Sequence, residues 1–258
     1  MMEGELARFT DAEFEAALTA TLKKLIAPPC VKPYRHPQAV LLGGQSGAGK
    51  TALHMVYKKK LGQGAIVVNG DEYRSSHPRY YELNEAYGPE AVTHTAPWAG
   101  RMTEALIGAL SAMRYNLIIE GTLRTAEVPV KTATLLRARG YGVSLALMAV
   151  KPEISLVSCQ VRYELMRIAG TVPRATDPKH HDKIVRDIVG NLSALEQTGL
   201  FDEICLYARS RERLYPVEGE TRTASEALQE VLFGPWTREE KEHYAHLEEK
   251  LASLKKHP

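Results

Sequence analysis

The stretch "AVLLGGQSGAGKTALHMVYKKKLG" constrains the fold more than any other part of the chain: an apolar run, a glycine-rich turn and an amphipathic helix follow one another directly. Within it, Gly44, Gln45, Ser46, Gly47, Ala48, Gly49, Lys50 and Thr51 match the spacing G-x-x-x-x-G-K-[ST], in the strand-to-helix setting that this phosphate loop requires. Glycines let the backbone bend until its N–H groups, together with the helix N-terminus, surround phosphate oxygens. Lys50 is expected to be solvent-exposed and to neutralise β and γ oxygens, with the Thr51 hydroxyl as a ligand for Mg²⁺. A chance glycine turn is the bland alternative, and the agreement of motif with context argues against it. The loop implies a nucleotide but not a reaction, because ATPases, switch proteins and kinases all carry it.

Around this loop, strands and helices alternate. The apolar runs "AVLL", "AIVV", "NLIIEG", "VSLALMAV" and "EICLYAR" read as strands, and helical patterns run around "RMTEALIGALSAM", "VPVKTATLLRARG" and "EISLVSCQVRYELM". Another begins near Pro178, with Ile184, Val185, Ile188, Leu192 and Leu195 on one side and Asp177 as its start signal. Such alternation predicts an α/β fold with a mostly parallel sheet flanked by helices, of the P-loop kinase-like type. Before it, "FTDAEFEAALTATLKKL" predicts a helix over about 10–26: Thr10 and Glu13 have capping-box spacing, Phe9 and Phe14 can form the staple, and Pro28 and Pro29 stop it. After it, "TREEKEHYAHLEEKLASLKK" predicts a capped helix with a Tyr244, Leu247, Leu251, Leu254 stripe. We expect one domain over 1–258, with a core of about 38–215 and N- and C-terminal helical appendages, the latter over about 223–256.

Composition closes off several classes. With 258 residues, 44% hydrophobic and 25% charged, the chain can bury an ordinary globular core. A net charge of +2 demands neither a nucleic-acid nor a membrane partner, and neither is expected. Cys30, Cys159 and Cys205 are odd in number and far apart, which argues against a disulfide framework and suits a reducing cytoplasm. No stretch approaches the roughly 18 to 20 apolar residues of a membrane span, and the N-terminal segment is too acidic for a signal peptide.

The remaining candidates lie at the carboxyl ends of strands, where parallel sheets place their reactive crevice. Asp71 in "VVNGDEYR" sits just past a strand and near a phosphate loop, where like-charge repulsion makes a carboxylate costly. It is either a base that accepts a hydroxyl proton during phosphoryl transfer or an N-cap for the next helix. In "LIIEGTLRT", Glu120 can hold a magnesium-bound water, while Thr122, Arg124 and Thr125 are either ligand contacts or ordinary turn residues. Glu104 reads by itself as a solvated helix residue. Arg162 and Arg174 can converge as charge-neutralising fingers, although an unplaced arginine is more often on the surface or ion-paired. His180 and His181 are adjacent, hence on different helix faces, and make a poor metal pair.

Taken in order, the phosphate loop, "NGDEYR", "HPRYYEL", "RMTEALI", "YNLIIEGTLRT", "VPVKTATLLRARGY", "LMAV", "RYELM", "PRATD", "HHD" and "TGLFDEICLY" resemble the zeta-toxin family, the kinase partners of epsilon/zeta-type toxin–antitoxin systems. The resemblance covers roughly 38–215. It implies a kinase that uses ATP and Mg²⁺ to phosphorylate the sugar 3'-hydroxyl of UDP-N-acetylglucosamine, which starves cell-wall synthesis. It also implies Asp71 as general base, Lys50 as the loop lysine, Arg162 and Arg174 as catalytic arginines, and Glu104, Glu120, Thr122, Arg124 and Thr132 as sugar-nucleotide contacts. A small helical antitoxin that covers the nucleotide site and packs near the helix around Phe14 is the implied partner. Two alternatives stay open from the residues: a P-loop kinase for another hydroxyl, such as an antibiotic or a polynucleotide 5'-end, and a nucleotide-dependent binding module without chemistry.

Overall fold

The structure, a computed structural model, describes residues 5–173 and 175–256. Its elements run α1 (Asp11–Ile26), β1 (Gln38–Gly43), α2 (Thr51–Leu61), β2 (Ile66–Asn69), α3 (Tyr80–Tyr87), α4 (Ala91–His94), α5 (Ala96–Ala112), β3 (Leu117–Glu120), α6 (Glu127–Ala138), β4 (Gly142–Met148), α7 (Pro152–Ile168), α8 (Pro178–Glu196), β5 (Glu203–Tyr207), β6 (Arg213–Tyr215), α9 (Ala224–Phe233) and α10 (Arg238–Leu254). The strands form one sheet in the order β2-β3-β1-β4-β5-β6. The first five are parallel, and β6 is antiparallel to β5 at the edge.

Alternation along each strand sends side chains to opposite faces. Ala39 and Leu41 of β1, Leu117 and Ile119 of β3, and Val143, Leu145 and Leu147 of β4 enter one core, where α1, α5, α6, α8 and α9 cover the sheet. Val40, Leu42, Ile118, Ala146 and Met148 enter the other, beneath α2, α7 and α10. Both faces are therefore covered, which is why these strands read as unbroken apolar runs. The order places β3 and β4 on either side of β1, so the loop leaving β1 is flanked by the ends of both neighbours.

Both terminal helices belong to these cores. Thr10 and Glu13 form the expected capping box, and the Phe9 and Phe14 rings lie 6.3 Å apart. Phe14 is buried, and Leu18, Leu22 and Leu25 pack against the same core. The α1 stripe thus faces the chain's own interior, and a partner at α1 meets its polar side. At the other end, α10 buries Leu247 and Leu251 in the α2/α7 core.

Three features differ from the sequence expectation. Residues 72–94, which carry no clear period, fold into a 3₁₀ turn (Glu72–Ser76) and the short helices α3 and α4. Helix α5 begins at Ala96, ahead of "RMTEALI", with Pro97 in the first turn, where a missing N–H costs nothing. "EICLYAR" is not the last strand: β6 follows it as a three-residue edge strand.

Candidate active site

The glycine loop takes its shape from backbone conformation. Gly44, Gly47 and Gly49 have φ of +129°, +78° and +95°, a region that L side chains rarely adopt. Gly47 is also confined by packing, since a Cβ there would lie 2.0 Å from the Ser155 carbonyl oxygen and 2.7 Å from Cys159 Sγ. The loop is therefore pressed against α7. Ser46 is half-buried, Ala48 is fully buried, and Thr51 is exposed as the first residue of α2, whose first turn holds no acid. A loop of bent glycines that runs directly into a helix N-terminus suits a polyphosphate.

A buried hydrogen-bond chain holds this cradle. Gln45 Nε2 donates to the Val150 carbonyl (2.8 Å) and to Ser155 Oγ (3.2 Å). Ser155 Oγ donates to the Pro152 carbonyl (2.7 Å) and lies 2.8 Å from His181 Nε2. With its single proton committed, the hydroxyl accepts from both Gln45 and His181. His181, buried on α8, is thus a loop-supporting residue, in keeping with its unsuitability as a metal ligand. No group of three or more His, Cys, Asp or Glu side chains able to hold a metal occurs among the described residues.

Lys50 is buried rather than exposed, correcting the sequence expectation. Its Nζ donates to the carbonyls of Gly44 (2.8 Å) and Gln45 (3.1 Å), so the ammonium closes the loop on itself. Burial pushes its pKa down, the charges of Glu120 and then Asp71 push it up, and Arg162 adds to the lowering. These charges sit on three elements: Glu120 ends β3, Asp71 follows β2, and Arg162 lies exposed on α7. The fold therefore gathers Asp71, Glu120 and Arg162 around Lys50. Arg174 lies outside the described residues.

Asp71 stands where a cap would stand, before the 3₁₀ turn, but its side chain makes no capping hydrogen bond. Instead Oδ1 accepts from Arg74 Nε at 2.9 Å, and the Asp71 N–H donates to Asn69 Oδ1 at 3.1 Å. Arg74 is in turn tied to the Val92 carbonyl (2.7 Å) and Thr95 Oγ1 (3.0 Å), which fixes the carboxylate from the helical segment behind it. With a side chain 55% exposed, Asp71 is accessible to a ligand.

Glu120 is held more deeply, its carboxylate 2.8 Å from His54 Nε2 with both side chains largely covered. His54 lies on α2, one turn beyond Thr51, so Glu120 faces the start of that helix. The other candidates form a rim. A Cβ on Gly70, next to Asp71, would lie 2.9 Å from Thr103 Oγ1, which brings α5 and its exposed Glu104 beside the Asp71 turn. Both Glu104 carboxylate oxygens are 3.1 Å from Lys131 Nζ on α6, next to the half-buried Thr132. Thr122 and Arg124 flank Leu123, a buried residue at φ +56° whose carbonyl accepts from Asn191 Nδ2 at 3.0 Å. That turn leaves Thr122 half-buried and Arg124 exposed past β3.

Arg209, in the turn after β5, opens the basic run "RSRERL", which the sequence alone reads as a solvated face; in the structure it is partly buried instead. Its Nε and Nη2 lie 3.6 and 3.8 Å from the position of a Cβ on Gly49. Pattern alone gave no link to the loop, because a basic run carries no partner and this residue stands 160 residues from the glycine it approaches.

The sequence pattern that defines the zeta-toxin family matches residues 23–220. Toxin PezT of Streptococcus pneumoniae is 46% identical over 239 residues, 92% of this chain and 94% of that protein. Toxin zeta of Streptococcus pyogenes is 41% identical over 211 residues, 81% of this chain and 73% of that protein. A solved structure from a characterisation of the PezAT chromosomal toxin–antitoxin system of S. pneumoniae superimposes with a TM-score of 0.86 at 43% identity, covering 97% of this chain and 98% of that one.

Proposed function

This chain belongs to the zeta-toxin family, and on that premise we propose that it is the toxin of a toxin–antitoxin system, an ATP-dependent phosphotransferase acting on the sugar 3'-hydroxyl of UDP-N-acetylglucosamine. The observation that carries this reading is the gathering of Asp71, Glu120 and Arg162 around Lys50. A nucleotide-binding module needs the glycine loop and Lys50; it has no use for an accessible carboxylate beside them.

The loop glycines and the first turn of α2 hold the phosphates, and Lys50 leaves the Gly44 and Gln45 carbonyls to neutralise β and γ oxygens. The Thr51 hydroxyl, together with Glu120 through water, suits Mg²⁺, which keeps several waters and few protein ligands. Held there, such an ion would supply positive charge to offset that of the phosphate oxygens. Asp71, positioned by Arg74, accepts the proton of the acceptor hydroxyl. The hydroxyl oxygen bonds to the γ-phosphorus as the bond to the β,γ-bridging oxygen breaks, leaving ADP and a phosphorylated sugar. Arg162 and Arg174 neutralise charge on the transferring group. Glu104, Thr122, Arg124 and Thr132, with Glu120, orient the sugar nucleotide from the rim.

A small helical antitoxin, the proposed partner, covers the nucleotide site and meets the polar side of α1. We place the protein in the cytoplasm, where UDP-sugars are made; no helix among the described residues is long and apolar enough to cross a membrane. Incubation with ATP, Mg²⁺ and a panel of UDP-sugars, aminoglycosides and oligonucleotides tests the assignment. Phosphate on a UDP-sugar supports it, transfer to another hydroxyl moves the substrate, and no transfer at all leaves a binding module.

A further inference from the structure

We propose that Arg209 binds the phosphate chain of the nucleotide held by the glycine loop, as a cationic wall that the loop motif does not contain. The inference rests on the nucleotide reading above and extends it to a residue on a separate element.

Two contacts place Arg209 at the loop. Its guanidinium lies against Gly49, as described. Its Nη1 donates to Ser158 Oγ on α7 at 2.6 Å, and that hydroxyl donates in turn to the Ile154 carbonyl at 2.7 Å, so the arginine is held from behind. Cys159, which follows Ser158 on α7 and packs on Gly47, interacts electrostatically with both Arg209 and Lys50. Arg209 and the loop thus share α7 as a common wall.

The chemistry of this environment favours an anion. Arg209 is substantially desolvated, and burial lowers its pKa. Among the described residues it takes part in no carboxylate ion pair, and Ser158 is its one side-chain hydrogen-bond partner. A guanidinium carries five N–H donors, and a neutral hydroxyl occupies one of them. On α10, burial and then the charges of Arg209 and His246 lower the pKa of His243, which favours its neutral form beside the arginine. A partly buried positive charge with free donors beside a phosphate cradle is suited to bidentate phosphate contact. The competing explanation is a staple: Arg209 would merely tie the β5 turn to α7, and ligand affinity would not depend on it.

Calorimetric titration of the full chain with Mg–ATP and with inorganic tripolyphosphate decides the matter, using wild type, Arg209→Met and Arg209→Lys, each checked by its melting temperature. Arg209→Met is expected to weaken both ligands by about tenfold or more, the range of a hydrogen bond to a charged group, with Arg209→Lys recovering part of the loss. Affinities within about twofold of wild type overturn the proposal. A loss for ATP with unchanged tripolyphosphate affinity also overturns it, since Arg209 would then touch the nucleoside. Should Arg209→Met fail to fold, Arg209→Lys and Arg209→Gln carry the same test. Wild-type protein that binds no ATP would instead defeat the nucleotide reading itself.

Discussion

Lys50 and Asp71 show how far a residue's surroundings alter its expected role. The phosphate-loop motif indicated which lysine matters, but its burial against the Gly44 and Gln45 carbonyls depends on the loop's three-dimensional path. Lys50→Ala should reduce phosphoryl transfer to background while the protein still melts cooperatively, because the two carbonyls it leaves can turn to water; near-normal turnover in a folded variant would contradict the loop assignment. For Asp71, sequence alone left base and helix cap open, and the absent capping hydrogen bond removes one reason for stability to depend on it. Among the contacts described, Asp71→Asn weakens a partly exposed ion pair with Arg74, worth about 0.2–1 kcal/mol. Thermal melting should therefore place the variant within about 1 kcal/mol of wild type, and a larger drop would mean that this carboxylate is structural. Arg209 and His181 were not legible because their partners are remote: Ser155 lies 26 residues before His181 and 110 after Gln45.

At the level of elements, legibility followed length and caps. Helix α1 was readable because a capping box, a staple and a stripe agree, and α8 because Asp177 accepts from the Lys179 N–H at its start. Helix α3 buries Leu83 alone, too little for a period to emerge, and β6 has no buried residue with which to alternate. The loop-to-α7 contact gives the sharpest prediction at this scale. Gly47→Ala places a methyl group on the Ser155 carbonyl at a left-handed φ. The conformation alone costs roughly 1–2 kcal/mol, and relief of the clash must shift the loop. We expect a lower melting temperature and loss of measurable ATP binding by calorimetry. Wild-type affinity in Gly47→Ala would show that the loop is not held in this shape.

Across the whole molecule, the sheet order brings the ends of β2, β3 and β1 together, and α1 closes the opposite core through an aromatic cluster. Phe9 meets the Trp98 ring edge-on at 4.9 Å, and His77 lies 5.2 Å from the same ring. His77 Nδ1 accepts from the Arg79 N–H at 3.1 Å, which fixes the imidazole as neutral, and burial holds its pKa below the ordinary value of 6.5. The unfolded chain thus takes up this proton at a higher pH than the folded one. The stabilisation is complete above about 6.5 and is lost as pH falls through that value toward the folded pKa. Melting temperature should decline from about pH 7 to pH 5, with a shallower decline in His77→Gln; equal slopes would show that His77 does not contribute. The central claim, that Asp71 is the base of a phosphotransferase, is tested most directly by single-turnover transfer from ATP to UDP-N-acetylglucosamine with saturating Mg²⁺. Asp71→Asn should bind ATP as tightly as wild type or slightly more tightly, and transfer phosphate about 10² to 10⁴ times more slowly. A full rate in that variant would contradict the account.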